Sequence, residues 1–127
     1  MNAFLSLGRW FFALPFSLFG LMHLLEGETM AQMVVPSYLP VKVFWVYLTG
    51  IGLIAAAISM LLGKLDKLAT ILLAIFLLLM VFMLHIPNAT AGGEATRLAI
   101  GALLKDISLA GGAMMYAKHY AQDAKYT

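Results

Sequence analysis

The sequence predicts an all-α integral membrane protein, a four-helix bundle with both termini cytoplasmic. Of its 127 residues, 63% are hydrophobic and only 11% are charged, against about 25% charged in an ordinary globular domain, and the mean hydropathy is +0.94. Four apolar stretches, at about residues 4–25, 43–62, 68–85 and 98–117, fill almost the whole chain. Each is long enough to cross a hydrocarbon core about 30 Å thick. Arg9, Lys64, Lys67, Lys118 and Lys125 flank one side of these spans, and only Lys42 and Arg97 flank the other. By the positive-inside rule both chain ends then lie in the cytoplasm. The expectation is a single transmembrane domain over residues 1–127, multi-pass in the cell inner membrane.

The first stretch resembles a signal peptide in having Arg9 before an apolar run. That run outlasts a signal h-region and no small-residue cleavage site leads into a polar chain, so it reads as the first span. Pro15 should kink it, and His23 and Glu26, three apart, share a face near its outer end. Residues 27–42 are too short to span and carry Pro36 and Pro40. Their apolar side chains, from Met30 to Leu39, predict an interfacial loop that caps the bundle. The second span opens with Trp45 and Tyr47, suited to the headgroup level, and offers Gly52 with Ala56 and Ala55 with Ser59 as small pairs for close packing. The short turn at Gly63–Lys67 makes spans two and three antiparallel neighbours. The third span stops at His85-Ile86-Pro87-Asn88.

The fourth span carries Lys105 and Asp106 side by side at its middle. Each such charge costs roughly 2.5–3.5 kcal/mol at the centre of a spanning helix, and adjacent residues lie about 100° apart around the axis. Partners are therefore expected from other helices, with Arg9 or His23 nearest to Asp106. Gly101, Ser108, Gly111 and Gly112 predict tight packing of this helix.

These placements define a polar interior of Arg9, His23, Glu26, His85, Lys105 and Asp106, descending as a funnel from the outer surface. An outer pocket roofed by the Met30–Pro40 loop follows. A quinone-like or other small lipophilic molecule would suit it, with the Met and Phe side chains as walls and His23 or His85 bonding a carbonyl. Two histidines at one end of two helices could also reach a haem iron, but nothing else points to haem. Two imidazoles and a carboxylate form a common metal ligand set, yet no spaced His/Glu cluster accompanies them and no metal is predicted. The chain has no cysteine, which excludes disulfides, thiolate catalysis and iron–sulfur ligation. Its bases flank spans instead of forming a patch, which excludes nucleic acid as a partner.

In order, the run Arg9–His23 (RWFFALPFSLFGLMH), the loop Val34–Pro40 (VVPSYLP), the span ends Leu61–Lys64 (LLGK) and Leu84–Asn88 (LHIPN), and Leu103–Ala113 (LLKDISLAGGA) make a recognisable set. The set resembles the DoxX and DoxX-like family of small four-helix membrane proteins, over nearly the whole chain. The resemblance implies a subunit of a membrane redox or stress-related system, after the thiosulfate:quinone oxidoreductase subunit that names the family. A small lipophilic or quinone-like bound molecule, and a membrane or cytoplasmic redox partner, would be in keeping with it, while the cofactor itself is left unidentified. Two readings of other classes stand beside it: a structural or assembly subunit without a ligand, and a small proton-coupled transporter that would need to form a homo-oligomer.

Overall fold

The apolar stretches fold as helices, and the small residues among them decide how closely those helices approach. The computed structural model describes residues 2–28, 42–90 and 92–127, without the side chains at 42, 84, 85, 87, 88 and 95. The expected cap at Met30–Pro40 and the side chain of His85 lie outside the described residues. Helix α1 (Asn2–Ser6) turns at Leu7 into α2 (Gly8–Leu25). Helix α3 (Lys42–Leu62) follows, then α4 (Asp66–Met80), which runs through one π turn (Val81–His85) into α5 (Ile86–Ala89). Helix α6 (Gly93–Met115) closes in a second π turn, Tyr116–Tyr120. The fold is all-α. Among the described residues, four helices are long and apolar enough to cross a membrane by length and composition.

Helix α2 passes through Pro15 without a break, and Pro15 faces outward. Its missing N–H leaves the Phe11 carbonyl without a helical donor. Helix α6 begins ahead of the apolar stretch, at Gly93. There the Gly92 N–H donates to Thr96 Oγ1 at 2.6 Å and Glu94 sits in the first turn, where the helix dipole favours an acid.

Helix α2 packs on α3, α3 on α4, and α4 on α6. The core where they meet is rich in alanine: Ala13, Ala56, Ala57, Ala74, Ala110 and Ala113 are buried around Phe16, Met60 and Leu73. The tightest crossing joins α2 to α3. A Cβ added at Gly20 would lie 2.7 Å from the Gly50 carbonyl oxygen, and one added at Gly50 would lie 2.8 Å from that of Gly20. This corrects the expected packing through Gly52, which is exposed with nothing within 4 Å of its Cβ position. Two residues on from Gly50, it points about 200° away around the helix. Similarly, Gly101 and Gly111 face open space on α6, whereas a Cβ added at Gly112 would lie 3.1 Å from the Phe12 ring.

At the α3–α4 turn, the Gly63 and Lys64 N–H groups both donate to the Ser59 carbonyl, at 2.9 and 3.2 Å. Gly63 takes the left-handed conformation (φ 68°) that such a helix end requires. Leu65 is also left-handed, at φ 56°, a conformation that costs a side-chain-bearing residue roughly 1–2 kcal/mol. It is held by its N–H, which donates to Asp123 Oδ2 at 2.8 Å.

Candidate functional site

Polar side chains gather at two levels of the bundle. At the first level, His23 is buried on the face of α2 that crosses α3, its Cβ against the Gly50 position. Its Nδ1–H donates to the Phe19 carbonyl at 2.8 Å and its ring stands edge-on to the Phe19 ring, with centroids 4.8 Å apart. Glu26, one turn on, is exposed at the helix end.

Across the bundle on α6, Asp106 is buried while Lys105 keeps 59% of its side chain exposed. The two lie 3.8 Å apart, and the Lys105 ammonium also sits 5.8 Å from the centre of the Phe19 ring. Of the residues expected in a polar interior, His23 and Asp106 are buried, whereas Glu26 and Lys105 are exposed, and Lys105 reaches α2 only at the Phe19 ring.

Arg9 belongs to the second level. Its guanidinium covers the Tyr120 ring at 4.9 Å, and its Nε is buried without a hydrogen-bond partner among the described residues. Asp106 lies about 21 Å along α6 from Tyr120, so the expected Arg9–Asp106 pairing does not form. Leu5, Gly8, Arg9, Gly112, Met115, Tyr116 and Tyr120 line a concavity of about 260 Å³ here. Another, of about 380 Å³, lies between α4 and α6 at the same end. Neither is lined by His23, Glu26, Lys105 or Asp106.

The most completely satisfied polar group in this region is one that sequence reading passed over. Asp66, first residue of α4, is fully buried. Its carboxylate accepts from the Tyr116 hydroxyl at 2.9 Å and from the backbone N–H groups of Gln122 (3.0 Å) and Asp123 (2.9 Å). The C-terminal tail answers in kind, since Asp123 accepts from Leu65 N–H and its carbonyl from Lys67 N–H at 3.3 Å. Two aspartates therefore lock the tail onto the α3–α4 turn. The Asp123 carboxyl is held below the usual carboxylate range by the Leu65 N–H and then the Lys125 N–H. Among the described residues, no three His, Cys, Asp or Glu side chains come together as a metal site.

A family described as Domain of unknown function (DUF8561) matches residues 12–110. The chain belongs to that family. No curated protein and no solved structure matches the chain. The family match overturns the DoxX resemblance, and the thiosulfate:quinone oxidoreductase association implied by it falls away. The fragments that carried the resemblance are devices open to any small bundle in lipid: small residues at crossings, prolines in a loop, polar residues at span ends. Among them, Gly20 marks a helix crossing, and the Gly111–Gly112 pair contributes one close contact through Gly112.

Proposed function

We propose that this protein crosses the inner membrane four times, with both termini cytoplasmic, and works without chemistry of its own as an assembly subunit of a membrane complex. The placement is supported by the four apolar helices and by the five bases on the terminal side against two on the other. The assembly role rests on Lys105. It stands about 14 Å inside the Thr96 end of the fourth candidate span, with 59% of its side chain exposed and its carboxylate neighbour 3.8 Å away. An ammonium with that exposure at that depth is stable when a neighbouring protein, not lipid, covers it. The cover we propose is a transmembrane helix of another subunit that presents an acceptor at the depth of Lys105, laid along the exposed Gly101, Lys105 and Ser108 side of α6.

A quinone-like ligand at His23 has weaker support. Nδ1 is engaged within its own helix, and the two concavities described above lie at the other level.

Because the chain has no cysteine, a single Ser108→Cys substitution carrying a photoreactive maleimide reports what lies on that side in native membranes. A discrete adduct that disappears in Lys105→Leu is the expected result. The role fails if labelling matches that at Leu79→Cys, an exposed position on α4, or if the adduct persists without Lys105. Reporter fusions placing Thr127 outside would refute the orientation independently.

A further inference from the structure

The concavity of about 380 Å³ between α4 and α6 has basic residues at one end and apolar walls. Its α4 wall is a single stripe, Lys67, Ile71, Ala74, Ile75 and Leu78, at the spacing of one helix face. Met114, Ala117 and Lys118 form the α6 wall. Both lysines stand at the same end, and everything beyond them is apolar. Among the described residues neither ammonium is in an ion pair, the Lys105–Asp106 pair lying elsewhere. The nearby carboxylates are engaged: Asp66 by Tyr116 and the tail, Asp123 by Leu65 and Lys125.

From Lys67 to Leu78 the stripe rises about 16 Å. One leaflet of the hydrocarbon core is about 15 Å deep, half of its ~30 Å thickness. The groove is thus as long as one leaflet, with two unpaired cations at its headgroup end.

We infer that the α4–α6 groove binds an anionic glycerophospholipid of the cytoplasmic leaflet, its phosphate between Lys67 and Lys118 and one acyl chain along Ile71, Ile75 and Leu78. The inference rests on the four-span placement proposed above and is independent of the role given to Lys105. Basic pockets between spans on this side of a membrane suit such headgroups. A second helix is a poorer occupant, because the unpaired charges sit at one end of an otherwise apolar trough.

The test uses the full chain purified in a zwitterionic detergent, with thermal unfolding followed on titration with dioleoyl phosphatidylglycerol, dioleoyl phosphatidylcholine, or inorganic phosphate. Phosphatidylglycerol should raise the melting temperature saturably, while phosphatidylcholine and phosphate should not. Replacing both lysines (Lys67→Gln with Lys118→Gln) should weaken half-saturation about thirtyfold, at about 1 kcal/mol per basic residue. Replacing Lys64 and Lys125, at the same end but outside the groove, should leave it unchanged. Equal stabilisation by phosphatidylcholine, equal stabilisation by phosphate, or equal loss in the Lys64/Lys125 variant overturns the site. If the double variant does not fold, retention of phosphatidylglycerol over phosphatidylcholine by the wild-type chain in native mass spectrometry decides the same question. Carbonate extraction of vesicles carrying the protein reports insertion separately, so a failed lipid site and a failed membrane placement give different results.

Discussion

Removing the Asp66 carboxylate should detach the C-terminal tail and loosen the basic end of the bundle. In Asp66→Ala three donors lose their acceptor. The Tyr116 hydroxyl has an alternative, the Met60 carbonyl 3.2 Å away. The N–H groups of Gln122 and Asp123, at 3.0 and 2.9 Å from the carboxylate, have no other acceptor among the described residues and turn to water, which lifting of the tail makes easier. Two hydrogen bonds to a charged acceptor contribute about 1.5–3 kcal/mol each. Release of the tail returns part of that sum through hydration and chain entropy, so a net loss of about 2–4 kcal/mol is expected. Asp66→Asn keeps one acceptor oxygen but turns an N–H₂ towards the tail donors, and should lose roughly half as much. Equilibrium unfolding in mixed micelles measures the loss, and hydrogen exchange of the peptide over residues 121–127 measures the release. Glu94→Ala, at an exposed site, is the control, expected to change stability by less than about 0.5 kcal/mol. If Asp66→Ala unfolds like that control and its tail exchanges no faster than wild type, the carboxylate is not what anchors the tail.

Tyr116→Phe should cost about 1–2 kcal/mol in the same unfolding assay, less than Asp66→Ala, because the carboxylate keeps both backbone donors; an equal or larger loss would place the anchor at the tyrosine. Gly20→Ala should destabilise by roughly 1–3 kcal/mol, since its Cβ meets a backbone oxygen that cannot turn aside. Gly52→Ala, facing open space, should be neutral or stabilising by up to about 1 kcal/mol, and a reversed order would refute the α2–α3 crossing. For Asp123, a carboxyl held low in the folded state contributes above its unfolded value of about 3.9, and the contribution is lost as pH falls through the lower folded value. Protection of the tail amides, measured against their intrinsic exchange rate at each pH, should therefore fall as the medium is acidified below about pH 4. The same acid response in Asp123→Asn would assign it to another group.

The number of long helices was legible because hydropathy in windows of span length is a strong signal, and the bundle is all-α for the same reason. Helix faces were harder to read. A small residue at a permitted spacing does not reveal which way it points, so Gly52 and Gly50 look alike in the sequence, and only the crossing at Gly20 tells them apart. Asp66 was missed for a related reason. In the run Gly63–Lys67, flanked by two lysines, it reads as a solvated turn residue, and nothing periodic announces that a tail 56 and 57 residues downstream returns to cover it. The buried tyrosine of the clamp, Tyr116, could have been suspected as a lone hydroxyl at the end of an apolar run, since a buried Tyr hydroxyl usually finds a partner. Arg9 was legible as a basic residue one turn inside span one, but not its choice of Tyr120 over Asp106, which depends on how far α6 runs on through its π turn.

The two levels differ in what they leave unsatisfied, and the seam between α2 and α6 shows it. Near the termini it is crossed by Phe12 against Gly112, by the stacked rings of Phe12 and Tyr116 at 6.5 Å, and by Arg9 over Tyr120; behind these contacts the Asp66 clamp satisfies its own donors and acceptors. Nearer the middle of α6, Lys105 crosses the same seam and meets the face of Phe19 at 5.8 Å. An ammonium has three donors. A carboxylate at 3.8 Å is beyond hydrogen-bond distance, and an aromatic face contributes only about 0.5–2 kcal/mol. The Asp66 clamp therefore satisfies its own groups, whereas among the described residues Lys105 has only a carboxylate at 3.8 Å and the Phe19 face for its ammonium, and that is why the proposed assembly contact is put at the middle of α6.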